Sequence, residues 1–200
     1  MRDIEVALFS NKPATQDFSR TERRYLTATP EQQWRILGRW ATFTNGYRVR
    51  TLYLDTPEGT WSRGHGRSKV RLRNYNGERD WWVEVKSNST GQVTKHRRIV
   101  QAQDRDILEQ LVPVAGVSYF RTEFEDDRSP LRVTLDRNVT FWQVPRNLQM
   151  AMGGEGVPVD KLPAQVLETK STQEMPGWLP LPRRWNGSKS RIALVVLWTQ

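Results

Sequence analysis

Hydrophobic and polar residues alternate along much of this chain, which is the pattern of β-strands with one buried face. In the segment SKVRLRNY, residues 68–75, Lys69, Arg71 and Arg73 fall on one face and the apolar residues on the other. One such row is ordinarily a solvated face, but this spacing recurs on strand after strand. We therefore predict that the rows line the inner wall of one closed sheet, whose lumen suits a long, flexible polyanion. The other rows are Arg20, Glu22 and Arg24; Arg48 and Arg50; Glu84 and Lys86; Lys95 and Arg97; Arg132, Thr134 and Asp136; Glu168 and Lys170.

Periodicity and turn residues divide the chain into about eight strands. Asn76-Gly77 is a two-residue hairpin signal between two of them. The predicted strands cover residues 19–28, 47–55, 68–75, 80–87, 92–100, 118–125, 131–141 and 165–171.

Three helices are predicted between and after these strands. Thr29 has the residue type of an N-cap, Pro30 suits the first helical position, and Asn45-Gly46 ends the first helix. The other two helices are predicted at 103–112 and 190–198, a Gly-rich loop at 63–67, and a loop with partial order at 143–163.

The order of these elements indicates the fold class. The chain has no βαβ rhythm, so we predict an α+β protein that is mainly antiparallel β. Closure into a tunnel-like β-barrel of about eight strands, with a few flanking helices, removes exposed strand edges. Residues 1–18 are predicted to be an N-terminal arm, and residues 19–200 a single domain.

Charge and composition support a polar interior and an anionic partner. The 200 residues carry a formal net charge of +9, and only 36% of them are hydrophobic, which favours a barrel with a polar interior over a deep two-layer core. The absence of cysteine excludes disulfides and thiolate metal sites. The chain shows no signal-peptide pattern and no apolar run long enough to span a bilayer, so we expect a soluble, cytoplasmic protein.

The motifs on these strands resemble, in order, those of the VTC domain, the polyphosphate polymerase module of the vacuolar transporter chaperone complex. The similarity extends over residues 20–191. It is carried by Arg20-Thr-Glu-Arg-Arg24-Tyr25, Tyr53-Leu-Asp55-Thr56, Lys69-Val-Arg71-Leu-Arg73-Asn-Tyr75, Val83-Glu84-Val-Lys86, Tyr119-Phe-Arg121, Arg132-Val-Thr-Leu-Asp136, Leu167-Glu168-Thr-Lys170 and Ser188-Lys189.

This resemblance implies a β-barrel tunnel of the CYTH or triphosphate tunnel metalloenzyme superfamily. It also implies transfer of the γ-phosphate of a nucleoside triphosphate onto polyphosphate with a divalent metal, manganese or magnesium. The implied partners are the nucleoside triphosphate and polyphosphate. No nucleic acid is expected, and a membrane partner that receives the product is left open, as is the oligomeric state.

Candidate site residues follow from the resemblance and from the alternating rows. The catalytic candidates are Arg71, Arg73, Lys86, Arg121, Arg132 and Lys189. The substrate-binding candidates are Arg24, Arg50, Lys69, Lys95, Arg97 and Lys170. Glu168 matches the metal-binding glutamate of the family, and Glu22 is the best second carboxylate.

The sequence departs from the family pattern at three places. Arg24 stands where the family has a lysine, which exchanges a compact ammonium for a planar fork. The first strand reads Arg-x-Glu-x-Arg, so one metal carboxylate of the hydrolase and cyclase branch is missing, which argues against thiamine-triphosphatase or adenylyl-cyclase activity. The tyrosine usual after Ser-Lys is also absent, since Ser190 follows Lys189.

Several alternatives stay open at this level. Glu168 could be the salt-bridge partner of an arginine, Glu22 and Glu84 could orient cations, and Asp136 could do either. The histidines His65 and His96 are expected to be solvated, and most tryptophans to pack, with Trp61 and Trp142 as candidates for the tunnel mouth. The same tunnel could serve a triphosphate or polyphosphate hydrolase, or a module that binds polyphosphate or inositol phosphates without turnover.

Overall fold

The strands of this protein form one antiparallel sheet. The computed structural model describes residues 7–9, 21–27, 37–38, 42–43, 45–62, 68–89, 92–125, 131–154, 156–173, 184–187, 189 and 192–193. The strands are β1 (Thr21–Thr27), β2 (Thr42–Phe43), β3 (Tyr47–Asp55), β4 (Ser68–Tyr75), β5 (Trp81–Ser89), β6 (Gln92–Ile99), β7 (Val112–Glu125), β8 (Arg132–Gln143), β9 (Val157–Lys161) and β10 (Gln165–Ser171).

Two short α-helices interrupt the strands. A 3₁₀ turn at Ala102–Asp104 leads into α1 (Arg105–Leu108), and α2 (Leu148–Gly153) follows β8. Asn147 caps α2, since its side chain accepts a hydrogen bond from the Met150 amide.

The main path of the sheet runs β1-β10-β8-β7-β3-β4-β5-β6, with β2 paired to β7 and β9 paired to β8. All of these ladders are antiparallel, as predicted. The predicted closure is wrong: among the described residues, no ladder joins β1 to β6, and the sheet is curled but open. Alternation fixes which face of a strand is polar, but it does not decide whether the two edge strands meet.

The predicted strands all occur, and those at 47–55, 68–75 and 165–171 have the predicted ends. The strand expected at 118–125 begins six residues earlier, at Val112, and the helix expected at 103–112 is correspondingly shorter. The region 143–163, predicted as a loop, contains α2 and β9. Asn76 and Gly77 have positive φ values of 52° and 74°, so the predicted tight hairpin turn is confirmed.

Three predicted elements fall mostly outside the described residues. In the first predicted helix, the structure describes only residues 37–38, which are helical. In the last predicted helix, it describes only residues 192–193, which are also helical. The loop 63–67 lies outside the described residues. In the predicted N-terminal arm, residues 7–9 are helical, and Leu8 and Phe9 are buried against the sheet. No helix in the described part of the chain is long and apolar enough to cross a membrane.

Apolar side chains cover the outer face of the sheet in two clusters. One cluster includes Leu52, Leu72 and Val83 from β3–β5 together with Leu108 of α1 and Leu148 of α2. The second cluster lies under the β1, β10, β8 and β7 side and is formed by Tyr25, Leu37, Phe124, Leu131, Val133, Leu135 and Leu167. Burial of these residues stabilises the sheet from outside. A third apolar cluster, which includes Tyr53, Val117 and Tyr119, lies on the inner face beside the charged rows, so that face is polar only in part.

Candidate functional site

The inner, concave face of the sheet collects charged residues from nearly every strand. Strand register sets this: on β4–β6, Arg71 lies opposite Glu84, and Glu84 lies opposite Arg97, so all three point to one face. On the other side of the sheet, Arg24 lies opposite Glu168, and Arg121 lies opposite Asp136.

The described residues place more cations than acids on this face. The cationic positions are Arg24, Lys69, Arg71, Arg73, Lys86, Lys95, Arg97, Arg121, Arg132, Lys170 and Lys189. The acidic positions are Glu22, Glu84, Glu123, Glu125, Asp136 and Glu168. The surplus of positive charge makes the concave face a binding surface for polyanions.

Glu84 organises the cations of β4, β5 and β6. Its carboxylate is 1% exposed and accepts hydrogen bonds from Arg71 Nε (2.8 Å) and Nη2 (2.5 Å). Arg73 Nη1 and Arg97 Nε each lie 3.4 Å from its other oxygen. Burial alone would raise the pKa of Glu84, but the charges of Arg71 and Arg73 hold it far below its ordinary value. Glu84 is therefore an ionised anchor that orients the cations, as the alternative interpretation stated.

Asp136 likewise anchors cations, on the side of the sheet formed by β7 and β8. It is fully buried and accepts hydrogen bonds from Arg121 Nε (2.6 Å) and Nη2 (2.8 Å), and it is ion-paired with Lys189. Burial opposes its ionisation, but Lys189 and Arg121 keep its pKa below the usual value. The ring of Tyr119 lies beside both cations: its centre is 4.3 Å from Lys189 Nζ and 5.2 Å from Arg121 Cζ. The C-terminal segment thus adds a cation to the same face.

Glu168 is the third acidic anchor. Its oxygens accept hydrogen bonds from Arg24 Nε (3.1 Å) and lie 2.8 Å from Lys170 Nζ. Burial would raise its pKa, but Lys170, Lys189 and Arg121 hold the pKa well below the usual value. Arg24 also pairs with Glu22, so one guanidinium bridges the two predicted metal carboxylates.

Curvature brings the two walls together. In a flat sheet, the six strand spacings from β10 to β6 would separate the strands by about 29 Å. Instead, the charge of Lys170 on β10 acts on Lys95 of β6. The charge of Arg121 on β7 likewise acts on Arg73 of β4. The anchored cations therefore surround one shared space.

Lys95 is the candidate cation whose charge depends most on pH. Burial lowers its pKa to about 8; Glu84 opposes this shift, while Arg71, Arg73 and Lys170 repel the ammonium and add to it. A bound phosphate group would favour the charged ammonium. The site thus has a cation that titrates near neutral pH.

Most of the candidate residues lie on the concave face, but Arg50 does not. Arg50 points to the outer face, where its guanidinium donates to the carbonyls of Ala151 (2.5 Å) and Met152 (3.3 Å) in α2. Arg48 shares that face, so the prediction that this pair lines the inner wall is wrong. Both faces of β3 are largely buried, so alternation alone could not tell inside from outside.

The remaining candidates lie toward the rim of the concave face. Arg132 is 41% exposed and contacts Glu123 and Glu125, each at 2.6 Å. Lys69 Nζ lies 5.3 Å from the centre of the Trp61 ring, and Lys86 is exposed. Arg132 and Lys86 therefore remain accessible to solvent at the edge of the site.

Sequence reasoning missed the aromatic and hydroxyl groups that hold the arginines. Arg97 Cζ lies 4.2 Å from the Trp82 ring centre and 5.2 Å from that of Tyr75, whose hydroxyl accepts a 2.8 Å hydrogen bond from Arg97. Arg73 donates to Thr51 Oγ1 at 3.3 Å. The signal that could have found them is their position in register with the charged rows.

Two other aromatic predictions changed with the structure. His96, expected to be solvated, is half-buried on the outer face, with its ring centre 5.1 Å from that of Phe9. Trp61 is buried and Trp142 lies on the outer face, so Trp142 is not at the mouth of the concave site. His65 lies outside the described residues.

The family model described as the VTC domain matches residues 2–105 and 98–181 of this chain. This chain belongs to the VTC domain family. The resemblance to the VTC domain seen in the motifs is thereby confirmed. No curated protein matches the sequence.

Solved structures support the fold of this VTC domain. The PH1819 protein from Pyrococcus horikoshii OT3 is 12% identical, with 88% of this chain and 98% of that chain covered and a TM-score of 0.56. A candidate adenylate cyclase from Vibrio parahaemolyticus is 13% identical, with the same coverages and a TM-score of 0.58. At this identity, the similarity shows a shared fold.

The family implies a divalent metal ion, which would need oxygen or nitrogen donors from the side chains of this VTC domain. Among the described residues, no group of three or more His, Cys, Asp or Glu side chains is placed to hold a metal ion. Both oxygens of Glu168 already contact cations, and Glu22 shares Arg24 with it. The described residues therefore do not fit a preformed metal site. Magnesium in phosphoryl-transfer sites is commonly held by one or two carboxylates together with substrate phosphates, so a metal here would enter with its nucleotide.

Proposed function

We propose that this VTC domain is a phosphotransferase that extends polyphosphate, with a nucleoside triphosphate as donor and the concave face as the binding site. The observation that carries the proposal is the convergence of cations from β1, β4–β8 and β10 on one concave face, where buried carboxylates hold Arg24, Arg71, Arg73 and Arg121. An anionic polymer of repeating phosphates matches a surface on which cations recur at every second residue of β4 (Lys69, Arg71, Arg73) and of β6 (Lys95, Arg97).

In the proposed reaction, a terminal phosphate oxygen of the polyphosphate chain attacks the γ-phosphorus of the nucleoside triphosphate. A new P–O–P bond forms, and the bond from the γ-phosphorus to the β–γ bridging oxygen breaks. The nucleoside diphosphate leaves with the electron pair of that bond. This chemistry needs no Ser, Cys or His nucleophile, because positioning and neutralisation of phosphate charge supply most of the catalysis.

The side chains divide into two proposed roles. Arg71, Arg73 and Arg121 are held by buried carboxylates, so their forks are preorganised to bind phosphoryl oxygens where charge builds up. Lys189 completes this group, and the rim cations Lys86 and Arg132 would bind phosphates that extend out of the site. The substrate-binding cations are Arg24, Lys69, Lys95, Arg97 and Lys170, without Arg50.

The acidic anchors are as necessary to the proposal as the cations. Four cationic side chains crowded together repel one another, and Glu84 offsets that repulsion while leaving each guanidinium with unused donors. The result is a surface that stays ordered before the ligand arrives, which lowers the entropic cost of binding.

The deciding experiment is incubation of the protein with ATP and manganese, followed by a gel that resolves long phosphate chains. If the proposal is correct, long phosphate chains form, and the amount of ADP released equals the amount of phosphate added to the chains. ADP with free phosphate and no chains would identify a hydrolase instead. Binding of polyphosphate without loss of the γ-phosphate would identify a non-catalytic binding module.

A matched pair of variants ties the activity to the concave face. Arg71→Gln with Lys95→Gln removes two positive charges from the site, and we expect loss of chain synthesis. Arg105→Gln with Lys161→Gln removes two charges from exposed positions on α1 and β9, and we expect activity near that of the unmodified protein. Equal loss in both pairs would contradict a specific role of the concave face.

A further inference from the structure

The outer face of the sheet contains a cavity that is separate from the concave site. It has a volume of about 660 Å³, within the range of small-molecule sites, and lies over β3, β7 and β8 beside the connection from α2 to β9. Ser118 and Phe120 of β7 lie opposite Arg50 and Arg48 of β3 on this face, with their side chains pointing away from the concave site.

Three arginines from two strands line this cavity. They are Arg48 and Arg50 of β3 and Arg137 of β8. None of the lining residues that the structure describes is an aspartate or glutamate. The lining of the concave site differs, because Glu84, Asp136 and Glu168 lie among its cations.

Arg50 is the strongest sign that an anion belongs here. Its guanidinium is half-buried; it donates to the carbonyl oxygens of Ala151 and Met152 and lies 5.7 Å from the centre of the Trp81 ring, and none of these groups carries a full charge. Burial lowers the pKa of Arg50, with no carboxylate to offset the effect. A guanidinium has five N–H donors, so several remain for a ligand. An anionic group in the cavity would supply the missing countercharge.

Aromatic groups form the rest of the wall. Trp142 Nε1 donates a 2.9 Å hydrogen bond to Ser118 Oγ, which fixes the indole, and Arg137 Cζ lies 5.0 Å from the Phe120 ring centre. Gly116 keeps this floor close-packed: a Cβ there would lie 2.9 Å from Val144 Cγ1 and 3.1 Å from Trp142 Cβ. A wall of fixed rings beside clustered arginines suits a small phosphorylated molecule.

We propose that this outer cavity is a second phosphate site, which binds a small phosphorylated molecule through Arg48, Arg50 and Arg137. The site lies on the opposite face of the sheet from the concave site, so ligands of the two sites do not compete for the same side chains. The proposal does not depend on the reaction proposed for the concave face.

Fluorine NMR of the full chain labelled with fluorotryptophan separates the two sites. Of the nine tryptophans, Trp142 lines the outer cavity and Trp82 stacks on Arg97 in the concave site. Substitution of each by Phe assigns its signal. Inorganic pyrophosphate is the probe, and adenosine, which carries no phosphate, is the control ligand.

We expect pyrophosphate to shift the Trp142 signal saturably and adenosine to leave it in place. Arg48→Gln with Arg137→Gln should weaken the affinity read from Trp142 by about tenfold or more, since a hydrogen bond to a charged group contributes about 1.5–3 kcal/mol. The Trp82 titration should be unchanged in that variant. Arg71→Gln with Lys95→Gln should weaken the affinity read from Trp82 and leave the Trp142 titration unchanged.

Two results would overturn the proposal. One is a Trp142 signal that does not move while the Trp82 signal saturates. The other is a Trp142 shift that survives in the Arg48→Gln, Arg137→Gln variant with the same affinity. The signals of the remaining tryptophans report whether that variant is folded, so a loss of the Trp142 shift is not confused with unfolding.

Discussion

Lys95 Nζ lies 3.6 Å from Glu84 Oε2, the same carboxylate oxygen that accepts both hydrogen bonds from Arg71. The carboxylate therefore serves several cations at once, and Lys95 keeps a pKa of about 8 despite this acidic neighbour. The ammonium carries its charge at neutral pH and loses it as the pH rises through that value.

We therefore expect affinity for tripolyphosphate to fall between about pH 7 and pH 9. The ligand itself does not lose negative charge over this range, so the decrease belongs to the protein. Calorimetric titration at constant ionic strength measures it. Lys95→Arg keeps the charge at both pH values and should flatten the profile, whereas an unchanged slope in this variant would assign the titration to another group.

Glu84→Gln should destabilise the fold. The substitution leaves Arg71, Arg73, Lys95 and Arg97 close together without their buried countercharge, and removal of one partner from a buried ion pair costs about 3–5 kcal/mol. Urea denaturation measures the loss. Added tripolyphosphate should restore stability more in this variant than in the unmodified protein, since the ligand replaces the missing negative charge.

Glu168→Gln should bind tripolyphosphate more tightly than the unmodified protein. The substitution releases Arg24 and Lys170 from their carboxylate and adds one net positive charge to the concave face. Calorimetry at low salt gives the change in affinity. Glu109→Gln, at the exposed residue that follows α1 and pairs with Arg105, makes the same net charge change outside the site and serves as the control. Weaker binding only in the Glu168 variant would show that the carboxylate itself takes part in holding the phosphates.

The stability of the fold should fall steeply in acid. Glu84, Asp136 and Glu168 have pKa values below those of the unfolded chain, because buried cations favour their ionised forms. Their stabilisation is complete above the pKa of about 4.3–4.5 of a free glutamate and is lost as the pH falls below it. Urea midpoints between about pH 6 and pH 3 test this. The Glu84→Gln variant should show a shallower decline, since one of the three groups no longer titrates.

The alternation of polar and apolar residues along the strands was enough to predict much of the concave site. Arg71 and Arg73 share a face because side chains of a strand repeat every two residues, and this holds in any sheet. For Arg50 the same reasoning failed, because β3 is buried on both faces and its polarity pattern does not mark the inside. The helix α2, whose carbonyls hold Arg50, was not predicted, since its six residues are too few for a periodic pattern.

The sequence by itself determined the strands, the hairpin at Asn76-Gly77 and the family, because these depend on local periodicity, turn chemistry and motif order. Only the tertiary structure decided that the sheet curls without closing and that Glu84, Asp136 and Glu168 anchor the cations. The same holds for the arginines Arg48, Arg50 and Arg137, which line the outer cavity together. Each of these depends on which strands become neighbours, and contacts between residues far apart in the chain leave no local pattern from which they could be predicted.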